Sequence, residues 1–356
     1  MKAVLALNDG TIFEGMGFGK EGTASGEVVF NTSMVGYEEA LTDPSYKGQI
    51  LTMTYPLIGN YGVRRGFFES DSIQVEGFVV RENSTFYSHR KARKSVDQFL
   101  KEHNIPGISG IDTRALTKKL RIHGVMNGAL MVGDDADREK ALKLAKKLPD
   151  ISSLDLLDKV SVKKPKEFGC KGEKTTAVID LGVKNSIIGY LLNKKVNVIL
   201  MPHTAKPEEI DDFGADGILL SNGPGDPKNA KDAIKLVSEL QSEYPINGVC
   251  LGHQVIGLAL GAETYKLKFG HRGSNQPVKN IRENVVYITS QNHGFAVDER
   301  SVDGTGLKVS MINLNDGSVE GLCGKKDRIQ GVQFHPEAGP GPVDCNYIFD
   351  RWVKEL

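Results

Sequence analysis

The stretch Gly248-Val249-Cys250-Leu251-Gly252 decides the fold of the second half of the chain. The apolar Ile246 precedes it and an apolar helical pattern follows over residues 253–260, so the cysteine lies where a buried strand turns into a helix. Small residues at both flanks allow the sharp, strained turn that presents a nucleophile at the carboxyl end of a parallel sheet, and a helix N-terminus favours the thiolate. The pattern therefore predicts that Cys250 is a nucleophile, with a buried structural cysteine as the alternative.

Strand and helix patterns alternate around this turn. In chain order, strands and helices are predicted in turn at residues 177–180, 184–193, 196–201, 207–213, 217–221, 230–244 and 246–250. Such alternation is typical of parallel strands joined by right-handed crossovers. We therefore expect an α/β domain over 175–356, with an open, mostly parallel sheet and helices on both faces.

The first 150 residues have a different rhythm, rich in strand and turn patterns. Residues 2–7 and 11–14 flank Asn8-Asp9-Gly10, which is typical of a hairpin, and helical patterns cover residues 113–123 and 137–147. This indicates a β-rich α+β domain over 1–150. The lysine-rich residues 151–174 show little periodicity and are predicted to be a linker, with an exposed loop within one domain as the alternative.

Composition argues against several classes of protein. Lys+Arg and Asp+Glu both total 45, so the formal net charge is zero, which disfavours a strongly basic nucleic-acid-binding protein. No apolar run approaches the length of a membrane span, and the first residues do not resemble a signal peptide. The four cysteines show neither metal-ligand spacing nor a disulfide framework. We expect a cytoplasmic protein with no metal site, in which Cys170, Cys323 and Cys345 are structural.

His335 and Glu337 are the candidates for a catalytic base and its orienting acid. His335 ends a predicted strand over 329–334, Pro336 stops that strand, and Glu337 is close enough to turn back to the imidazole. A cysteine nucleophile needs such a base, and the base needs an orienting group. Taken singly, His335 would be a structural histidine and Glu337 a solvated carboxylate. Together with Cys250 they predict a triad at one sheet edge, in which His253, on the outgoing helix, has no catalytic role.

Two loops are candidates for contacts with a substrate. Ser221-Asn222-Gly223-Pro224-Gly225-Asp226-Pro227 follows a predicted strand, and its backbone N–H groups could stabilise an oxyanion together with the N–H of Leu251. An ordinary strand-to-helix turn is the alternative, and the loop lacks the Gly-Lys-Ser/Thr ending of a phosphate loop. Gln291-Asn292-His293-Gly294-Phe295 is a weaker candidate for a substrate-contact loop.

In combination, GVCLGHQ at 248–254, QFHPE at 333–337 and SNGPGDP at 221–227 resemble the motifs of class I (triad) glutamine amidotransferases. Upstream, NTSMVGYEEALTDPSY at 31–46, TYPLIGNYG at 54–62 and GISGIDTRALTKKLRIHGVMNG at 107–128 resemble the amino-terminal domain of carbamoyl-phosphate synthetase small subunits. The resemblance covers nearly the whole chain and departs from the family at no motif position. It implies an amino-terminal domain that docks on a large subunit, followed along the chain by a class I amidotransferase domain.

The resemblance also implies a function. Cys250 would attack the side-chain amide of L-glutamine to form a glutamyl thioester, His335 would transfer protons, Glu337 would orient His335, and Gly223 and Leu251 would form the oxyanion hole. The residues implied to hold glutamine are Ser45, Gly223, Gly225, Leu251, Gln254, Asn292, Gly294 and Phe295.

The partner implied by the resemblance is a separate large subunit that forms a heterodimer with this chain. Ammonia would pass to it through a tunnel, and it would use bicarbonate and ATP with Mg²⁺ to make carbamoyl phosphate for pyrimidine and arginine synthesis. No cofactor is expected on this chain. Two alternatives stay open: a glutaminase or cysteine peptidase-like enzyme without a synthetase partner, and a non-catalytic subunit that keeps the fold.

Overall fold

The computed structural model describes residues 1–64, 66–169, 172–324 and 328–356. Contacts divide the chain into two compact units, Met1–Leu154 and Asp155–Leu356. In the described ranges, no helix is both long and apolar enough to span a membrane. Cys170, expected to be structural, lies outside the described residues.

A closed barrel forms the centre of the first unit. The elements of this unit are β1 (Lys2–Leu7), β2 (Ile12–Gly19), β3 (Gly22–Asn31), α1 (Tyr37–Thr42), β4 (Gln49–Met53), β5 (Leu57–Ile58), β6 (Val63–Arg64), β7 (Gly77–Val79), β8 (Glu82–Asn83), β9 (Ala92–Lys94), α2 (Val96–Glu102), β10 (Pro106–Ser109), α3 (Thr113–His123), β11 (Met126–Val132) and α4 (Arg138–Lys147). The barrel strands follow one another in the order β1-β11-β3-β4-β7-β10-β2. The β-rich α+β character expected for this part of the chain is confirmed.

Local sequence explains several boundaries in the first unit. The β1–β2 hairpin turns at Asp9-Gly10, where Gly10 has φ of 99°, a conformation that glycine adopts without strain. The helix α3 begins after Asp112, whose carboxylate accepts the N–H of Ala115, and α4 begins after Asp137 in the same way. Both helices begin within one residue of the helical patterns predicted at 113–123 and 137–147.

An extended sheet with helices on both sides forms the second unit. Its elements are α5 (Leu157–Val160), β12 (Lys166–Phe168), β13 (Lys174–Asp180), α6 (Asn185–Asn193), β14 (Val196–Pro202), α7 (Pro207–Asp212), β15 (Gly217–Leu220), α8 (Lys231–Leu240), β16 (Ile246–Val249), α9 (Leu251–Ala259), β17 (Thr264–Asn280), β18 (Val285–Val297), β19 (Lys308–Asn313), β20 (Val319–Cys323), β21 (Ile329–Val332) and α10 (Tyr347–Glu355). The strand order is β12-β14-β13-β15-β16-β21-β20-β19-β17-β18.

Parallel pairing runs from β14 through β13, β15 and β16 to β21, and the remaining pairs are antiparallel. Side chains alternate between two cores along the strands: Ala177 and Ile179 pack with residues of α8 and α9, while Val178 packs with residues of α6 and α10. Helices therefore cover both faces of the parallel part, and the expected α/β fold is confirmed.

Two stretches differ from the sequence patterns. Lys166–Phe168, inside the predicted linker, pairs antiparallel with β14 and contributes an edge strand to the second unit. β18 (Val285–Val297) pairs with the long strand β17, and the sequence patterns did not indicate this pairing. Polar residues such as Asn292 and His293 interrupt the apolar pattern there, because this end of β18 carries groups of the candidate site.

Candidate active site

The carboxyl ends of four neighbouring parallel strands carry the candidate catalytic groups. β13, β15, β16 and β21 lie side by side in the sheet. Beyond their ends come Lys184, Gly223, Cys250 and His335, respectively. The sheet order thus brings together residues that are far apart in sequence, at the edge where ligands bind in open α/β sheets.

Cys250 occupies a strained turn between β16 and α9. Its φ is 54° and its ψ is −102°, its backbone N–H donates to the Val332 carbonyl at 2.8 Å, and it is only 2% exposed. The glycines on either side are required by close packing: a Cβ on Gly248 would lie 2.5 Å from the Gly252 carbonyl carbon, and a Cβ on Gly252 would lie 2.3 Å from the Leu220 oxygen. Positive φ at a non-glycine residue is typical of functional positions that the surrounding structure holds in place.

His335 and Glu337 form a buried pair beside this turn. His335 Nδ1 lies 2.7 Å from Glu337 Oε1, and the His335 backbone N–H donates to the Ser290 carbonyl. Burial opposes the charged imidazolium, but the Glu337 carboxylate outweighs it and raises the pKa of His335 above its ordinary value. The Cys250 thiol is among the groups that raise this pKa, and the buried His335 Nε2 has no hydrogen-bond partner in the described structure. One imidazole nitrogen is therefore held by Glu337, and the other is available for proton transfer.

Lys184 completes the buried charges around Glu337, and the sequence did not indicate it. Its Nζ donates to Glu337 Oε1 at 3.0 Å and to the Ala338 carbonyl at 2.5 Å, and the side chains of Lys184 and Glu337 are 2% and 1% exposed. Burial disfavours the carboxylate, but the charges of Lys184 and His335 hold the pKa of Glu337 below its ordinary value. The signal that could have found Lys184 is its place just after β13, at the same sheet edge as Cys250.

The loop 221–227 packs against the nucleophile turn. The N–H of Gly252 donates to the Ser221 carbonyl at 3.0 Å. A Cβ on Gly223 would lie 1.9 Å from the Leu181 oxygen and 2.9 Å from the Leu251 side chain, so only glycine fits there. Gly225 adopts φ of 88° in the same loop. The structure therefore brings Gly223 and Leu251, the predicted oxyanion-hole residues, next to each other.

Several predicted glutamine contacts also lie beside Cys250. The Cys250 Sγ lies 3.7 Å from the Asn292 carbonyl, and Gln254 Nε2 donates to the Phe295 carbonyl at 2.7 Å. Gly294 lies between Asn292 and Phe295 in β18. Ser45 belongs to the first unit, where it is buried and its backbone N–H donates to the Asp43 carboxylate.

Cys323, Cys345 and His253 have environments unlike that of Cys250. Burial, together with the Asp344 charge, raises the pKa of Cys345 to about 12, so this thiol stays protonated at neutral pH. Cys323 is half-buried at the end of β20. His253 is fully buried under β21, and burial lowers its pKa to about 4, which makes it a neutral packed side chain.

A cluster of His271, His293 and Glu320 has the composition of a metal site. One possible ligand atom from each lies within 4.8 Å of the others, and all three are buried. However, His271 Nε2 lies 2.9 Å from Asp316 Oδ2, and its Nδ1 lies 3.6 Å from Glu320 Oε1. Burial lowers the pKa of His271, but these carboxylates outweigh burial and raise it to about 9. Both nitrogens of a charged His271 thus face acids, which makes the cluster a buried ion-pair network.

This network predicts a pH-dependent contribution to stability. A histidine whose pKa is raised on folding stabilises the protein fully below its unfolded pKa, and the stabilisation disappears as pH rises through the folded value of about 9. Between about pH 6 and about pH 9, the unfolding free energy of the unsubstituted chain should therefore fall by on the order of 1–3 kcal/mol relative to His271→Gln. Urea unfolding of both proteins across this range measures the difference. Parallel pH profiles would contradict the assignment.

Comparison with known proteins identifies the family. Residues 5–130 match the family model described as carbamoyl-phosphate synthase small chain, CPSase domain, and residues 177–355 match glutamine amidotransferase class-I. The carbamoyl phosphate synthase small chain of Archaeoglobus fulgidus is 52% identical over 356 residues, covering 100% of this chain and 99% of that protein. The chain belongs to the carbamoyl-phosphate synthase small chain family.

Other members of the carbamoyl-phosphate synthase small chain family show similar agreement. The protein from Methanosarcina mazei is 51% identical and covers 100% of this chain and 99% of its own length. Among solved structures, a glutamine amidotransferase from Thermotoga maritima aligns with TM-score 0.39 and 19% identity, covering 51% of this chain and 80% of that one. The resemblance seen in the sequence is confirmed, as is the enzyme class, glutamine-hydrolysing carbamoyl-phosphate synthase. Pyrimidine or arginine biosynthesis is typical of this family.

Proposed function

We propose that Cys250, His335 and Glu337 release ammonia from L-glutamine through a glutamyl thioester. The observation that carries this proposal is the buried His335 Nε2, which has no hydrogen-bond partner in the described residues. Glu337 holds the other ring nitrogen, Nδ1, and the Cys250 thiol is among the groups that raise the pKa of His335. The raised pKa of His335 keeps the imidazole protonated at neutral pH, which stabilises a neighbouring thiolate and places a proton where the leaving group needs it.

The reaction proceeds in two steps, formation of the thioester and its hydrolysis. Cys250 Sγ attacks the side-chain amide carbon of glutamine, and as the C–N bond breaks, His335 gives its proton to the leaving ammonia. Water then attacks the thioester carbon while His335 takes up its proton, the C–S bond breaks, and glutamate leaves. Throughout, Glu337 keeps the imidazole in one orientation and stabilises its charged form.

Glutamine and the oxyanion are held by backbone and side-chain groups around the turn. The N–H groups of Gly223 and Leu251 stabilise the oxyanion of each tetrahedral intermediate, a role supported by their close approach. The residues proposed to contact glutamine are Ser45, Gly223, Gly225, Leu251, Gln254, Asn292, Gly294 and Phe295.

Ammonia then passes to a large subunit, which binds ATP and Mg²⁺ and makes carbamoyl phosphate from bicarbonate. A tunnel suits this transfer because ammonia released into neutral water becomes ammonium, which is not a nucleophile. Cys250 and Cys345 are free thiols, which suits a reducing compartment, and we place the reaction in the cytoplasm.

A labelling experiment tests the nucleophile and the partner separately. Treatment of the full chain with a glutamine-analogue electrophile should add one label, found by mass spectrometry on the Cys250 peptide, and free glutamine should protect against it. Glutaminase activity should rise strongly when the large subunit is added. Labelling elsewhere contradicts the nucleophile, and activity indifferent to the large subunit indicates a stand-alone glutaminase.

A further inference from the structure

A buried chain of two glutamine side chains ends on the nucleophile sulfur. Gln333 is 0% exposed, and its Nε2 lies 3.7 Å from Cys250 Sγ. At the other end of the amide, Gln333 Oε1 accepts a hydrogen bond from Gln254 Nε2 at 2.8 Å. The Gln333 amide therefore connects a predicted glutamine-binding residue to the reacting atom.

The orientation of both amides follows from one backbone carbonyl. The Phe295 carbonyl can only accept, so the group 2.7 Å from it must be the NH₂ of Gln254. The same NH₂ faces Gln333, which must then present its oxygen to Gln254 and its NH₂ to Cys250. An N–H donor directed at the sulfur is thus a consequence of the hydrogen-bond pattern as a whole.

Two groups near Cys250 Sγ favour opposite forms of the sulfur, one the neutral thiol and the other the negatively charged sulfur. The Asn292 carbonyl, 3.7 Å away, accepts from the neutral thiol, whereas the Gln333 N–H stabilises a negative sulfur. We propose that Gln333 is a catalytic residue: it donates a hydrogen bond to Cys250 Sγ, which orients the sulfur and stabilises negative charge on it during the reaction with glutamine. This role rests on the proposed function, because it presupposes Cys250 as the nucleophile.

The backbone explains why Gln333 can hold this position. Its N–H donates to the Glu320 carbonyl at 2.9 Å, continuing the pairing of β20 and β21 beyond the last ladder residue. Gln333 lies two residues before His335, and both side chains are buried. One short segment thus delivers both the thiolate donor and the imidazole, and burial keeps water from competing for the sulfur.

Alkylation of Cys250 by iodoacetamide tests the proposal without using glutamine. Gln333→Met preserves volume but removes both amide functions, so at about pH 7 Cys250 should react roughly tenfold more slowly, with the two rates converging at high pH. Gln330→Met is the matched control: Gln330 is also buried, three residues earlier, but its amide contacts Glu355. The control should leave the pH profile of Cys250 alkylation unchanged. A Gln333→Met profile identical to that of the unsubstituted chain overturns the proposal.

A second variant and a second measurement guard against misfolding of Gln333→Met. Gln333→Glu keeps the acceptor for Gln254 but places a carboxylate against the sulfur, so it should slow alkylation more than Gln333→Met does. In the unsubstituted chain labelled with ¹⁵N in glutamine side chains, the Gln333 NH₂ signal should move when Cys250 is alkylated, and an unmoved signal overturns the proposal. If Cys250→Ser retains full glutaminase activity, the proposed function fails; if only the Gln333 tests fail, the nucleophile stands without this donor.

Discussion

Serine in place of Cys250 should lower the glutamine-dependent turnover of the assembled enzyme by about a thousandfold or more, because loss of a covalent nucleophile removes the whole two-step route. The buried, raised-pKa His335 is matched to a thiolate partner and is a poor base for a serine hydroxyl. The substitution is nearly isosteric, and the strained turn is held by Gly248 and Gly252 rather than by the side chain. The fold should therefore survive.

The measurement is carbamoyl phosphate synthesis with glutamine and, separately, with ammonium salt. Cys250→Ser should lose the glutamine-dependent rate and keep the ammonia-dependent one, since ammonia bypasses this chain's chemistry. Cys323→Ser, which changes a half-buried thiol at the end of β20, serves as the matched control and should keep both rates. Comparable loss of both rates in Cys250→Ser would point to a folding or assembly defect, and retention of the glutamine rate would refute the nucleophile.

Local motifs explain which site residues the sequence could indicate. Cys250, His335 and Gly223 follow strand patterns and carry the small or breaking neighbours that such turns need, so each could be placed at a sheet edge. The alternating pattern predicts parallel strands with their carboxyl ends at one sheet edge. The pairing of β21 with β16, which brings His335 to this edge, is not part of that pattern. The structure places these groups just beyond the carboxyl ends of the neighbouring strands β15, β16 and β21.

The groups that the sequence did not indicate depend on contacts distant along the chain. A lysine just before a helix is usually exposed, and the sheet order β13-β15-β16-β21 is needed to bring Lys184 to the buried Glu337. Gln333 has the appearance of an ordinary strand residue until the amide of Gln254 fixes its orientation. The barrel order β1-β11-β3-β4-β7-β10-β2 is likewise set by pairings between distant segments, which no local pattern encodes.

Lys184→Met should lower the unfolding free energy of the chain by about 3–5 kcal/mol, because it leaves a buried carboxylate short of a counter-charge. Lys184 and Glu337 are 2% and 1% exposed, so water cannot replace the lost ammonium. Lys163→Met is the control: its ion pair with Asp158 is 65% and 63% exposed, so its loss should change the unfolding free energy far less than Lys184→Met does. Urea unfolding of the full chain gives both values.

A double-variant cycle separates the ion pair from the packing of the lysine stem. Glu337→Gln alone leaves Lys184 buried without its carboxylate, so it should also be strongly destabilising. In Lys184→Met/Glu337→Gln both charges are gone, and the combined loss should be smaller than the sum of the single losses by about 2 kcal/mol. Additive losses would mean that Lys184 stabilises through its stem and its bond to the Ala338 carbonyl alone. Losses that are smaller in combination would mean that the two charges are coupled. The charge of Lys184 then both stabilises the folded sheet edge and keeps Glu337 ionised beside His335.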